Sequence, residues 1–244
     1  MKNFFIALQF LTILPIKFKL KIEQEDFGKS LVWFPVVGAL IGIILSVSVF
    51  FFSFLPQGVI AALIMVESVI ITGGIHLDGF ADTCDGLYGF TTKERALEIM
   101  RDSRIGTMSA IGVMLLLLLK FSLFASIKQE ILWKCIIAMT AFSRWAQVLA
   151  CALFKYARQE GKAKYFIEYA SRRQVFASAI FVLALFTFFF GIRGPVLFLT
   201  ALALIWIAAN YINRKVGGMT GDTVGAINEV AEAGILLFSA IILL

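Results

Sequence analysis

Between His76 and Gly86 the chain places its only histidine and three aspartates, in the order His76-Leu77-Asp78-Gly79-Phe80-Ala81-Asp82-Thr83-Cys84-Asp85-Gly86. On a helix Asp78, Asp82 and Asp85 stand at i, i+4 and i+7 and project from one face. Three carboxylates so placed repel one another. In a chain this apolar, their clustering points to a cation, and an all-oxygen donor set points to a hard metal such as Mg²⁺. The same pattern fits a solvated acidic face at the mouth of a membrane helix. Gly79 and Gly86 lower helix propensity but let another helix, or a phosphate, approach the backbone. Cys84 is expected to face away from the three carboxylates.

Further acidic and basic residues extend the set. Asp102, in Asp102-Ser103-Arg104-Ile105-Gly106, and Asp222 are candidate metal ligands on the same side of the membrane. Glu67 lies eleven residues before Asp78, close to three whole turns, so a continuous helix would put it on the triad's face as a further candidate metal ligand. An intramembrane glutamate is costly and faces a cavity or a partner. Arg144 is its expected partner, either in a structural pair or at a substrate site. Glu229 and Glu232, at i and i+3, are further candidates to line a cavity. Gly217-Gly218-Met219-Thr220-Gly221-Asp222-Thr223-Val224-Gly225-Ala226 opens a helix whose N–H groups would suit phosphate. The structural alternative is a tight turn capped by Asp222 or Thr223. Gly106 has the same two readings. His76 is a candidate base, ligand or hydrogen-bonding neighbour of Asp78.

These residues have to be positioned by membrane helices. The 244 residues are 60% hydrophobic and only 16% charged, and the mean hydropathy is +0.92. A soluble domain carries about 25% charged residues. The apolar runs predict an all-α polytopic bundle of about seven spans: 31–55, 59–77, 107–126, 131–154, 175–192, 195–212 and 223–244. Met1 to Pro15 reads as an interfacial or re-entrant helix. No secretory signal is expected in the first sixteen residues. The second span should run straight into the acidic stretch. Of the 22 Lys and Arg residues, 17 fall in the segments on the N-terminal side of the membrane and two on the other. The positive-inside rule therefore puts the N terminus and the acidic site in the cytoplasm. It also accounts for the net charge of +6 without nucleic acid. Cys84, Cys135 and Cys151 show neither zinc nor disulfide spacing and read as small apolar fillers. No repeat or linker divides the chain, so residues 1–244 form one expected domain.

Together these features predict a cytoplasm-facing cavity where Mg²⁺ bridges carboxylates and a diphosphate-containing substrate. The acidic stretch resembles the His-x-Asp-Gly-x-Ala-Asp-x-x-Asp-Gly motif of the cobalamin synthase family, the adenosylcobinamide-GDP ribazoletransferases. Phe10-Leu11-Thr12-Ile13-Leu14-Pro15, Arg101-Asp102-Ser103-Arg104-Ile105-Gly106-Thr107 and the glycine-rich run 217–226 agree in order and spacing. Ser109-Ala110 departs from the pattern, where a glycine is expected soon after the Gly-Thr pair.

The resemblance implies a Mg²⁺-dependent step at the inner membrane. A ribose hydroxyl of α-ribazole or its 5′-phosphate attacks adenosylcobinamide-GDP, and GMP leaves. It implies that Asp78, Asp82, Asp85 and Asp102 hold metal and that one of these carboxylates, or His76, takes a proton. Gly218, Thr220, Gly221 and Asp222 would hold phosphate or a second metal, with Arg104 and Arg144 offsetting charge. Other nucleotide-loop enzymes are expected as pathway partners, and oligomerisation stays open. Two competing readings are a CDP-alcohol phosphotransferase, whose Asp-Gly-x-x-Ala-Arg opening is absent, and an ion-coupled transporter using Glu67, Arg144 and Asp78.

Overall fold

The computed structural model describes residues 1–15, 21–89 and 92–243. Part of the expected polar segment 17–30 and the last residue of the expected final span lie outside them. Among the described residues twelve α-helices follow one another: α1 (Lys2–Leu11), α2 (Gln24–Ser30), α3 (Phe34–Phe51), α4 (Gln57–Thr72), α5 (Ile75–Leu87), α6 (Lys93–Ile99), α7 (Thr107–Ser126), α8 (Gln129–Leu153), α9 (Lys164–Glu168), α10 (Arg172–Phe190), α11 (Arg193–Val216) and α12 (Gly221–Ile242). A 3₁₀ turn, Leu31–Trp33, joins α2 to α3. The described residues contain no strand, only an isolated parallel bridge between Tyr156 and Met219.

Among the described residues six helical segments are long and apolar enough to cross a membrane, Gln24–Phe51, α7, α8, α10, α11 and α12, and the bent pair of α4 and α5 makes a seventh if the two are taken together. Lipid-side apolar residues such as Phe50, Leu118, Ile180, Phe188 and Ile207 are exposed, as a bilayer requires. The innermost helix is α8, almost wholly buried from Cys135 to Cys151. Small residues bring α3 against it, for a Cβ on Gly42 would stand 2.6 Å from the Ile137 Cα.

The expected second span is not continuous. Gly73 and Gly74 both take left-handed φ, 62° and 68°, a conformation open to glycine at little cost. Helix α5 consequently leaves α4 at 92°. Thirteen residues at about 1.5 Å each cannot cross a core of ~30 Å. We read α5 as a helix laid over the end of the bundle, outside the spans, where it packs on α12, α7 and α6.

Candidate active site

Helix α5 meets α12 through two glycines. A Cβ on Gly79 would lie 2.7 Å from the Asp222 carbonyl oxygen, and one on Gly225 would lie 3.2 Å from the His76 carbonyl oxygen. The backbones therefore touch, and Asp222 in the first turn of α12 comes beside the acidic face of α5. The start of α12 is fixed locally. Thr220 is the N-cap, its hydroxyl accepting from Thr223 N–H at 3.2 Å, in place of the expected Asp222 or Thr223 cap. Met219 pairs with the segment after α8: its N–H donates to the Lys155 carbonyl at 2.8 Å, and the Ala157 N–H donates to its carbonyl at 2.9 Å. Gly217 and Gly218 let the chain reach this pairing. That clamp sets Arg158 against Asp222, with Nη2 2.6 Å from Oδ2.

These elements enclose a cavity of about 290 Å³. Asp78, His76, Asp222, Gly221 and Arg158 line one part of it, and Phe10, Phe34 and Phe166 another. Asp82 stands beside this group. Burial pushes its carboxyl up to about 6, and the neighbouring Asp222 and Asp78 charges add to the shift while Arg158 opposes it. The mutually repelling carboxylates of this site are hard oxygen donors and fit a divalent cation, the His76 Nε2 beside them being engaged by Gln147. Among the described residues no three His, Cys, Asp or Glu side chains close into a metal shell by themselves. Two carboxylates completed by substrate phosphate oxygens and water is the usual arrangement for Mg²⁺.

Asp85 shares the acidic face but has another engagement. It accepts from the Gly106 and Ser109 N–H groups at 2.8 and 2.9 Å, and from the Ser109 hydroxyl. Burial raises its pKa, but those hydrogen bonds outweigh it and the carboxyl ends below the ordinary value. It caps α7, so the Gly106 end of that helix, a possible phosphate site by sequence, is filled by this chain's own carboxylate. Ser109, where the sequence departs from the family pattern, supplies two of the three bonds.

Asp102 and Arg104 lie apart from the cavity, in an open groove beside Asp85 with Arg95 and Arg101. Arg104 donates from Nε at 3.0 Å and from Nη2 at 2.6 Å to the two Asp102 oxygens. That pairing holds Asp102 down to about 2.

Glu67 does not join the acidic face. The 92° turn at Gly73-Gly74 breaks the periodicity that would have placed it there, and its Oε1 accepts from the Ser48 hydroxyl at 2.6 Å. Nor does it pair with Arg144. Arg144 Nη1 donates to Glu232, and Lys120 Nζ donates to Glu229 at 3.0 Å and Glu232 at 2.6 Å. All four side chains are buried between α7, α8 and α12. From this neutral quartet a polar chain leads back to the cavity. Asn228 Nδ2 donates to Glu232 at 3.2 Å, Gln147 Nε2 donates to Asn228 at 2.8 Å, and Gln147 Nε2 lies 2.9 Å from His76 Nε2. His76 therefore pairs with Gln147, and its ring is buried. Arg144 sits behind the site, four links from His76 through Glu232, Asn228 and Gln147, instead of in the cavity.

The sequence reading missed Arg158, Lys162, Tyr156, Phe34 and Phe166, and named Phe10 only within the family-like stretch 10–15. Their signal was faint: Tyr156-Ala157-Arg158 directly after a span, followed by Gly161, inside a segment whose positive charge topology alone explained.

Comparison with known proteins identifies the family. The family model for cobalamin-5-phosphate synthase matches residues 3–240. A protein of Clostridium acetobutylicum named adenosylcobinamide-GDP ribazoletransferase is 35% identical over 97% of this chain and 94% of its own length. Proteins of the same name from Geotalea daltonii and Acetivibrio thermocellus are 35% and 34% identical, over 95% and 97% of this chain and 94% and 96% of theirs. No solved structure matches. With the match running through every element that builds the cavity, the chain belongs to the cobalamin-5-phosphate synthase family.

Proposed function

We propose that the chain joins adenosylcobinamide-GDP to α-ribazole or α-ribazole 5′-phosphate, releasing GMP, by Mg²⁺-dependent phosphoryl transfer at the cavity between α5 and α12. The observation that carries it is the meeting of Asp78, Asp82 and Asp222 beside Arg158. Phosphoryl transfer asks mainly for positioning and charge neutralisation, and this site offers both.

Asp78 and Asp222, which line the cavity, would hold Mg²⁺. When bound, the ion neutralises diphosphate oxygens. Asp82 takes the proton of the attacking ribose hydroxyl, a role suited to a carboxylate raised to about 6. The hydroxyl oxygen forms the new P–O bond to the phosphorus next to the cobinamide. The P–O bond to GMP breaks, and GMP leaves with its electron pair. Arg158, paired with Asp222, holds that carboxylate in place beside Asp78. The Lys and Arg asymmetry turns this mouth towards the cytoplasm, where both water-soluble substrates are found. A relay through Glu67 and Arg144, on which the transporter reading relied, has no geometric support, because the two side chains bond elsewhere.

The test is GMP release by detergent-purified protein given both substrates, with Mg²⁺ and then with EDTA. Metal-dependent GMP together with a new corrinoid is the expected result. No turnover in detergent or in lipid would overturn the proposal.

A further inference from the structure

The cavity has two chemical characters, and together they distinguish one substrate from the other. Phe10 from α1, Phe34 from α3 and Phe166 from α9 meet in one cluster. Ring centroids are 4.4 Å apart for Phe10–Phe166, 5.6 Å for Phe34–Phe166 and 5.9 Å for Phe10–Phe34. All three line the cavity. The charged part contains Arg158 and Lys162. The Arg158 guanidinium is ion-paired with Asp222 at 2.6 Å through Nη2, while its buried Nε has no hydrogen-bond acceptor among the described residues. A buried guanidinium with an open N–H is a site for an incoming oxyanion.

We infer that this cavity is the acceptor subsite: the aromatic base of α-ribazole 5′-phosphate packs on Phe10, Phe34 and Phe166, and its phosphate is met by Arg158 and Lys162. The inference rests on the transferase reading above and deepens it. Size and polarity both favour the acceptor over the donor. At about 290 Å³ the cavity stands at the lower end of the ~300–1,000 Å³ usual for small-molecule sites, so a corrinoid stays outside. Guanine, the base of the donor, carries N–H and carbonyl groups that three phenyl rings leave unpaired. A benzimidazole is largely apolar and stacks without that cost.

Steady-state kinetics with each substrate varied in turn, together with calorimetric binding of α-ribazole 5′-phosphate to the detergent-solubilised protein, test this. Lys162 is exposed, so Lys162→Ala leaves the fold intact. It should raise KM and Kd for α-ribazole 5′-phosphate about tenfold, as expected for one lost charge-assisted bond. KM for unphosphorylated α-ribazole and for adenosylcobinamide-GDP should not change. Phe166→Leu should raise KM for both forms of the acceptor about tenfold, a typical loss for one base–aromatic stack, again without moving the donor. If either variant instead raises KM for adenosylcobinamide-GDP, the cavity holds the donor and the assignment is overturned. It is equally overturned if wild-type protein that turns over shows no loss of acceptor binding in either variant. A wild-type protein that binds α-ribazole 5′-phosphate in this way but releases no GMP would defeat the transferase reading and leave the subsite standing.

Discussion

Gly79 and the backbone of Asp222 occupy adjoining space: a Cβ on residue 79 would stand 2.7 Å from the Asp222 carbonyl oxygen and 2.9 Å from its Cα. The two acidic elements are held together by the absence of a side chain. The position of Asp222 relative to Asp78 and Asp82 is therefore set by backbone contact, before any ion binds.

Gly79→Ala should push α12 away from α5. Overpacking of this kind costs about 1–3 kcal/mol, and the neighbour here is backbone that cannot rotate aside. We expect a lower Tm in detergent and a loss of kcat well beyond what the stability change explains. Gly112→Ala is the control. Its new methyl would meet the Cys84 Sγ at 2.7 Å, a side-chain atom free to turn, so activity should stay near wild type.

Asp82→Asn removes the charge and the proton acceptor while keeping the shape. Turnover should fall by at least about 10²-fold, the lower range for a lost general base, with expression and membrane insertion unchanged. Asp85→Asn should behave differently, because Asp85 caps α7. Its main effect should be a small fall in Tm, because Asn keeps one of the two accepting oxygens, and Asp85→Ala, which loses the cap, should cost about 0.5–2 kcal/mol. Cys84 points at α7, so Cys84→Ser should be close to neutral. A larger activity loss for Cys84→Ser than for Asp82→Asn would mean that the reactive face of α5 has been misassigned.

The raised carboxyl of Asp82 gives a pH dependence with a definite sign. Below about 6 the side chain is neutral and cannot take a proton, so kcat/KM should rise with pH through about 6. A cation on the neighbouring carboxylates stabilises the charged form. Raising Mg²⁺ should therefore move the inflection to lower pH, a shift that a pH–rate profile at two Mg²⁺ concentrations would detect. An inflection insensitive to Mg²⁺ would separate Asp82 from the metal.

Lys120→Met leaves Glu229 and Glu232 facing each other with Arg144 as their remaining cation. Breaking a buried ion pair from one side costs about 3–5 kcal/mol, visible as a fall in Tm. Adding Glu229→Gln restores charge balance and should recover a good part of the loss. An additive double mutant would show that the quartet is not energetically coupled.

Much of this was legible in the sequence, and what was missed has identifiable causes. The face shared by Asp78, Asp82 and Asp85 follows from helical spacing. The spans follow from hydropathy. The need for close approach at Gly79 follows from glycine among apolar residues. The turn at Gly73-Gly74 was hidden because hydropathy continues through it; only backbone φ distinguishes a bend from a pass-through. That one miss moved Glu67 to the wrong face; Arg144 was given the wrong partner for another reason, that an intramembrane charge was matched to the other one read within a span, while Glu232 bonds it. Glu229 and Glu232 were visible as one face of α12, but the cation opposite them, Lys120, is 109 residues from Glu229 and no local pattern joins the two. Arg158 and Lys162 were counted as topology, because charge counting cannot tell a residue that faces lipid headgroups from one that faces a cavity.

The glycine elbow after α4 also bears on the order in which the protein can be made. A translocating chain hands apolar helices to the bilayer one after another. Helix α5, too short to cross and carrying three carboxylates, has no stable place there by itself. Its seat is α12, synthesised well over a hundred residues later. Until α12 is inserted, the acidic helix waits at the water interface, and the contact of Gly79 with Asp222 is among the last long-range closures the chain can make. A nascent chain halted before α12 would be integrated into the membrane yet catalytically blank. Activity would appear only when biosynthesis reaches α12, which makes product formation a reporter of completed insertion.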